Sequence, residues 1–295
     1  MRRTVWVTGS TALTTILLAT VLATAPTGSA AYAGTAPDTS GGATYVALGD
    51  SYASAPRVGA PTGPPPCRQA TDSYPHVVAR MLGVALDDRS CAGASTANLT
   101  GPQTIEGSSV PAQLGALGTA TRLVTLGIGA NDGNVFGNLV LGCGQWARVV
   151  PTGDPCTVSS SASGQTVAGY RTQLEARIAE DVLLVERLAP NARVLVVGYP
   201  QFVPSSGSCP QLPLDPGDYP LALAVNQALD DALRLAAQAM GVGFIDIWDA
   251  SKGHDICSGA PWIAGDVPRQ PAVAYHPYWP EQAEVAGLIE QALGR

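Results

Sequence analysis

Four short blocks of this sequence carry a hydroxyl, a backbone turn, a carboxamide and an imidazole, the groups that acyl transfer requires. The first is Tyr45 to Ser54, an apolar run of strand length that breaks through Gly49-Asp50 into Ser51. Such a break holds one hydroxyl at the carboxyl end of a strand. The second is Ser90-Cys91-Ala92-Gly93-Ala94-Ser95, where glycine lets a backbone N–H approach a ligand closely. The third, Gly127-Ile128-Gly129-Ala130-Asn131-Asp132, places a side-chain amide after another apolar run, and the fourth is Tyr275-His276-Pro277. A serine hydroxyl is a weak nucleophile at neutral pH, and a histidine has the pKa to take its proton and return it to a leaving alcohol. Charge on the former carbonyl oxygen then needs donors. The Ser51 N–H, the Gly93 N–H and the Asn131 amide are the candidates for that oxyanion hole.

The elements that must position these blocks follow from periodicity. Strands are expected at Tyr45 to Leu48, Val84 to Leu86, Leu123 to Leu126, Val194 to Val197 and Phe244 to Ile247. Helices are expected at Tyr74 to Met81, Pro111 to Leu117, Val167 to Leu188, Leu221 to Met240 and Glu281 to Leu293. In the third helix Leu174, Ile178, Val182 and Val185 make one apolar face, and Pro190-Asn191 stops it. Alternating strands and helices imply a mostly parallel five-stranded sheet covered on both faces, an α/β fold. All four blocks then fall after strands or before a helix, on one face of the sheet. Pro56 to Ser73, Phe136 to Gln165 and Gln201 to Pro220 read as long irregular segments. Loops of that kind, tied at a sheet rim, commonly build a substrate site.

Compartment is read from the N-terminus and the cysteines. Met1-Arg2-Arg3, an apolar stretch to about Leu22 and Ala31-Tyr32-Ala33 form a signal-peptide pattern with cleavage after Ala33. Residues 34–42 read as a flexible lead-in, and 43–295 as one domain. No later segment has the roughly 18 uninterrupted apolar residues of a membrane span. The expectation is a soluble, secreted, extracellular monomer. Cys67, Cys91, Cys143, Cys156, Cys209 and Cys257 suggest three disulfides in an exported protein, with 15 possible pairings. Consecutive pairing (Cys67 with Cys91, Cys143 with Cys156, Cys209 with Cys257) is expected, because Cys143 and Cys156 bracket a Gly/Pro/Ser-rich stretch too polar to hold itself by burial. Neither a Cys-x-x-Cys nor a His pair suggests zinc, so no metal or cofactor is expected. Loss of Arg2 and Arg3 with the leader takes the formal charge from −7 to −9, which argues against nucleic acid and anionic membranes as partners. A small-molecule or lipid ester, uncharged, fits better.

The four blocks, in this order, resemble the GDSL esterase/lipase group, also called the SGNH hydrolases. In that group Ser, Gly, Asn and His come one from each block, and the matching positions are Ser51, Gly93, Asn131 and His276. The resemblance runs from Tyr45 to the C-terminus and is similar in pattern to extracellular actinomycete esterases and lipases. It implies a flavodoxin-like three-layer α/β/α sandwich and a secreted serine esterase acting through an acyl-serine intermediate. Removal of acetyl groups from polysaccharide is the alternative substrate reading, and an inert secreted binding protein is the alternative class. One position departs from the family pattern. Many members carry an aspartate three residues before the histidine, and Val273 stands there in this chain. Either a main-chain carbonyl accepts the Nδ1 proton of His276, or an acid such as Asp266 does, and the main-chain acceptor is preferred.

Each site residue has a competing structural role. Ser51 could be a helix N-cap, Gly93 a simple turn residue, and Asn131 a turn cap. His254, in the loop beside Asp255, rivals His276 as the base, and His76 falls in a predicted helix. Trp262, Tyr278 and Trp279 are candidates to line the acyl site. Gly-x-Ser-x-Gly is absent, which argues against an α/β-hydrolase elbow, and the first strand turn lacks Gly-x-Gly-x-x-Gly.

Overall fold

Successive side chains along each central strand pack on opposite sides of the sheet, and this sets the layers. A computed structural model describes residues 44–149, 153–163 and 166–295, within the unit Asp38–Arg295. The expected leader (1–33) and lead-in (34–42) lie outside the described residues. The central strands are β1 (Thr44–Gly49), β2 (Ala85–Asp88), β3 (Thr121–Gly127), β4 (Arg193–Val197) and β5 (Gly243–Ile245). They pair in parallel in the order β2-β1-β3-β4-β5. That is the doubly wound order of flavodoxin-like sheets, whose ligand crevice opens where the strand order reverses, between β1 and β3.

Both faces of the sheet are buried, so these strands read as continuous apolar runs. Val46, Leu48, Val124, Leu126, Val194 and Val196 share one cluster with α3 (Val167–Leu188) and α4 (Tyr219–Met240). Tyr45, Ala47, Leu123, Leu195 and Ile245 share the opposite one with α2 (Tyr74–Leu82) and α5 (Trp279–Ala292). The three-layer α/β/α sandwich implied by the family resemblance is therefore the observed fold. Helix α3 starts at Thr166, whose hydroxyl accepts from Gly169 N–H at 3.0 Å, and presents the predicted stripe Leu174, Ile178, Val182 and Val185 to the core. Helix α4 opens with Pro220 in its first turn, where a missing N–H costs nothing.

Three expectations need correction. Pro111 to Leu117 holds only a 3₁₀ turn, Gln113–Ala116, because Gln113 turns its side chain inward onto β1. The last strand stops at Ile245, since Asp246 caps a short helix from Ile247 by accepting from Asp249 N–H. Phe136 to Gln165 is not irregular. It contains a π-helical turn, Asn138–Gly142, and helices Cys143–Val149 and Pro155–Ser163. The Cys143–Cys156 disulfide links those two helices, and the Asp218 carboxylate accepts from Thr157 N–H at 2.8 Å. The other disulfides are Cys67–Cys91 and Cys209–Cys257.

Candidate active site

Gly49 is where β1 must approach its neighbour most closely. A Cβ there would lie 2.6 Å from the Gly127 carbonyl oxygen and 2.6 Å from Ala53 Cβ. The chain then enters α1 (Ser51–Ser54), and it is Asp50, not Ser51, that caps this helix, accepting from Tyr52 N–H at 2.8 Å. Ser51 is the first helical residue, so its own N–H has no acceptor within the helix. Its hydroxyl is not consumed as a cap. It lines a cavity of about 310 Å³ together with Ala92, Gly93, Asn131, Val273 and His276. All four residues chosen from sequence thus meet around one space, at the carboxyl edge of β1, β2 and β3.

The Ser51 and His276 side is fixed by hydrogen bonds between distant parts of the chain. Tyr52 OH donates to the Tyr275 carbonyl at 2.9 Å, 223 residues away, and the Tyr52 and His276 rings are 5.7 Å apart. Gln282, in the first turn of α5, donates to the Tyr52 carbonyl at 3.0 Å and accepts from Tyr74 N–H at 2.6 Å. Its amide also donates to Glu281 at 2.7 Å. Burial pushes the Glu281 carboxyl up to about 8, against the pull of that amide. Asp50 behaves alike. Burial raises it to about 7 although Tyr199 OH donates to it at 2.5 Å.

His276 Nδ1 lies 2.7 Å from the Ala274 carbonyl oxygen. A carbonyl only accepts, so the proton on that side is on Nδ1 and Nε2 keeps its lone pair. Asp266 does not take this place and accepts instead from Tyr275 OH at 3.1 Å. Loss of water around the imidazole holds the His276 pKa below its ordinary value; the Ala274 carbonyl opposes this and the Arg68 guanidinium adds to it.

On the other side, Asn131 Nδ2 donates to the Ala94 carbonyl at 2.8 Å, which uses one of its two amide hydrogens. Its side chain does not cap the turn that follows. Asp132 accepts from Thr96 N–H at 3.0 Å and Thr96 Oγ1 at 2.5 Å, and pairs with Arg177 at 3.0 Å. The second and third blocks are therefore tied to each other. Gly93 has φ +78°, a conformation that favours glycine.

Sequence reading gave no role to Asp132, Thr96, Gln113 or Gln282. Asp132 stood inside a quoted block, but its partner lies 36 residues back. Gln113 grips Gly49 at both ends, accepting from its N–H at 2.8 Å and donating to its carbonyl at 2.9 Å. Of the aromatic candidates, none lines the cavity. Tyr278 is buried with its OH accepting from Arg269 N–H, Trp262 stacks on His254 at 4.3 Å, and Trp279 faces outward. His254 Nδ1 lies 2.8 Å from the Ala260 carbonyl, and Asp255 accepts from Cys257 N–H, so the two do not form a pair. His76 sits in α2, against Ser73 and Asp88.

Residues 47–278 match the model of the GDSL-like lipase/acylhydrolase family. The chain belongs to this family. Among relatives of this GDSL-like hydrolase is Lipase 2 of Streptomyces coelicolor, 40% identical over 232 residues, which are 74% of this chain and 75% of that one. A lipase of Streptomyces rimosus is 30% identical over 224 residues, 74% and 75% of the two chains. Among solved structures, phospholipase A1 from Streptomyces albidoflavus superposes with a TM-score of 0.66 at 26% identity, covering 85% of this chain and 99% of that one. The extracellular lipase of Streptomyces rimosus gives 0.65 at 28% identity, covering 84% and 99%. This GDSL-like protein is a carboxylic ester hydrolase of the lipase/esterase kind.

Proposed function

We propose that the protein is a secreted serine esterase that cleaves lipid-type acyl esters through an acyl-serine intermediate. The observation that carries this reading is His276 Nδ1 held on the Ala274 carbonyl beside the cavity that Ser51 shares. Nε2, with its lone pair, takes the Ser51 proton as Oγ attacks the ester carbonyl. The tetrahedral intermediate carries its negative charge toward the Ser51 N–H, the Gly93 N–H and the second amide hydrogen of Asn131. Collapse expels the alcohol, which leaves with the proton from Nε2. Water, activated by the same imidazole, then frees the acid from Ser51. A carbonyl on Nδ1 fixes the tautomer but stabilises the imidazolium less than a carboxylate. The lowered His276 pKa favours the neutral ring, the form that can take the Ser51 proton.

A groove of about 860 Å³, lined by Pro56, Pro61, Pro65, Pro268 and Ala272 among others, adjoins the cavity at Pro56, Arg68 and Val273. Its apolar walls favour an acyl chain over an acetyl group, in line with the lipase names of the relatives. Export is supported by the leader pattern and by six cysteines that all lie in disulfides. Among the described residues no helix is long and apolar enough to cross a membrane.

Hydrolysis of p-nitrophenyl esters from C2 to C16 by the oxidised protein tests the reading. Activity that extends past C4 and vanishes in Ser51→Ala is expected. Activity limited to acetyl esters would favour polysaccharide deacetylation. An inert protein that takes no phosphonate label at Ser51 would favour a binding role.

A further inference from the structure

We infer that Gln103 is a positioning residue that aims the Gly93 N–H into the cavity; the inference rests on the oxyanion role given to Gly93 above. Residues Cys91 to Ala94 form a turn closed by the Ala94 N–H on the Cys91 carbonyl at 3.0 Å. Gly93 stands third in it with φ +78°, while Ala92 keeps a negative φ. That combination is a type II turn. Types I and II differ chiefly in which way the middle peptide faces, here the Ala92–Gly93 unit. Because that peptide is trans, its carbonyl and its N–H point in opposite directions. Whatever holds the Ala92 carbonyl therefore sets the heading of the Gly93 N–H.

Gln103 Nε2 donates to the Ala92 carbonyl at 2.9 Å. Gln103 is buried, at the start of the strand Gln103–Ile105, which forms a hairpin with Ser108–Val110. Ile105 of the same strand lines the cavity beside Gly93. The opposite rotation of the carboxamide would set two oxygens against each other, so the donor end must face Ala92. Oε1 has no partner among the described residues, which leaves the bond to Ala92 as the one that orients the group. Among the described residues the Gly93 N–H has no protein acceptor, as a donor kept for a ligand requires. The Ala92 N–H is held separately, on the Cys67 carbonyl at 3.0 Å, and the Cys67–Cys91 disulfide anchors the turn's first residue. Neither of these holds acts on the peptide unit that Gln103 orients. Removing the carboxamide frees that unit to turn over and carry the Gly93 donor away from the developing charge.

The test uses the oxidised full chain with Gln103→Met, which keeps the volume and loses the donor. Hydrolysis of p-nitrophenyl butyrate is measured per active site titrated with a fluorophosphonate, so that misfolded molecules do not count. A kcat lowered roughly 10- to 100-fold is expected, a fraction of what loss of a whole oxyanion donor costs, with KM within about twofold. Affinity for a trifluoromethyl ketone, which binds as the tetrahedral adduct, should weaken by a similar factor. Gln103→Glu, which sets an acceptor against the Ala92 carbonyl, should lower kcat further and serves if Gln103→Met yields no titratable sites. Wild-type kcat per titrated site, or a loss confined to KM or to the titratable fraction, overturns the inference and leaves the esterase reading standing. An inert wild type removes both.

Discussion

The Ser51–His276 side of the cavity and the Gly93–Asn131 side are held by different chemistry. On the first, the buried Tyr52 hydroxyl and the carboxamide of Gln282 bind main-chain carbonyls, the Tyr199 hydroxyl donates to Asp50, and two buried acids, Asp50 and Glu281, stand behind them with pKa values raised to about 7 and about 8. On the second, Asp132 ties Thr96 and the half-exposed Arg177, and Asn131 reaches across to Ala94. Hydrogen bonds between distant segments fix the reacting pair, and a knot of Asp132 with Thr96 and with Arg177 of α3 fixes the donors. The first arrangement responds to pH through Asp50 and Glu281, which do not line the cavity. The second depends on two turns and the α3 arginine that braces them.

The largest difference should appear in activity. Ser51→Ala and His276→Ala are each expected to lower kcat by about four orders of magnitude or more, since nucleophile and base act as a unit. Asn131→Ala, which removes one donor of three, should cost about 10² to 10³ in kcat with KM little changed. Steady-state kinetics on one ester, with circular dichroism to confirm folding, reads both. Equal losses on the two sides would break the comparison.

Stability against pH sharpens it. Glu281 goes from 4.5 unfolded to about 8 folded, so its contribution is complete below about pH 4.5 and is lost as pH rises toward 8. Asp50, raised from 3.8 to about 7, acts in the same sense. The melting temperature should therefore fall between pH 5 and pH 8, and Glu281→Gln should flatten the curve by several degrees. A wild-type curve that rises over this range would remove the buried acids from the account. The smallest effect is expected at Asp266. Asp266→Asn keeps an acceptor for Tyr275 OH and does not touch Nδ1, so kcat should stay within about twofold, and a collapse of activity would mean that the Ala274 carbonyl is not the sole support of the imidazole.

The fold was legible because doubly covered strands must be apolar throughout. Each of the five expected strands overlaps an observed one, and helix Val167–Leu188 agrees at both ends because Thr166 caps it and Pro190 follows it. The errors fell where a polar side chain was committed to main chain that periodicity does not register. Gln113 breaks a helical pattern to hold Gly49, 64 residues earlier, and Asp246 ends a strand by capping the turn that follows it, three residues on. In the site, Ser51, Gly93, Asn131 and His276 could be chosen because their blocks follow strands in order. The residues that aim them could not. Asp132, Gln103 and Gln282 are ordinary polar residues until the sheet brings their partners within 3 Å.

The hydrogen bond from Tyr52 to Tyr275 spans 223 residues, nearly the whole described chain. A chain cut before residue 275 keeps the segments of every strand, the serine and both outer donors, yet it lacks the His276 imidazole and the Tyr275 carbonyl that receives the Tyr52 hydroxyl. Acquisition of the site therefore coincides with the docking of the last segment, the contact with the greatest loop to close. Turnover consequently counts finished molecules. During synthesis or refolding, the appearance of esterase activity marks the end of assembly and not its beginning.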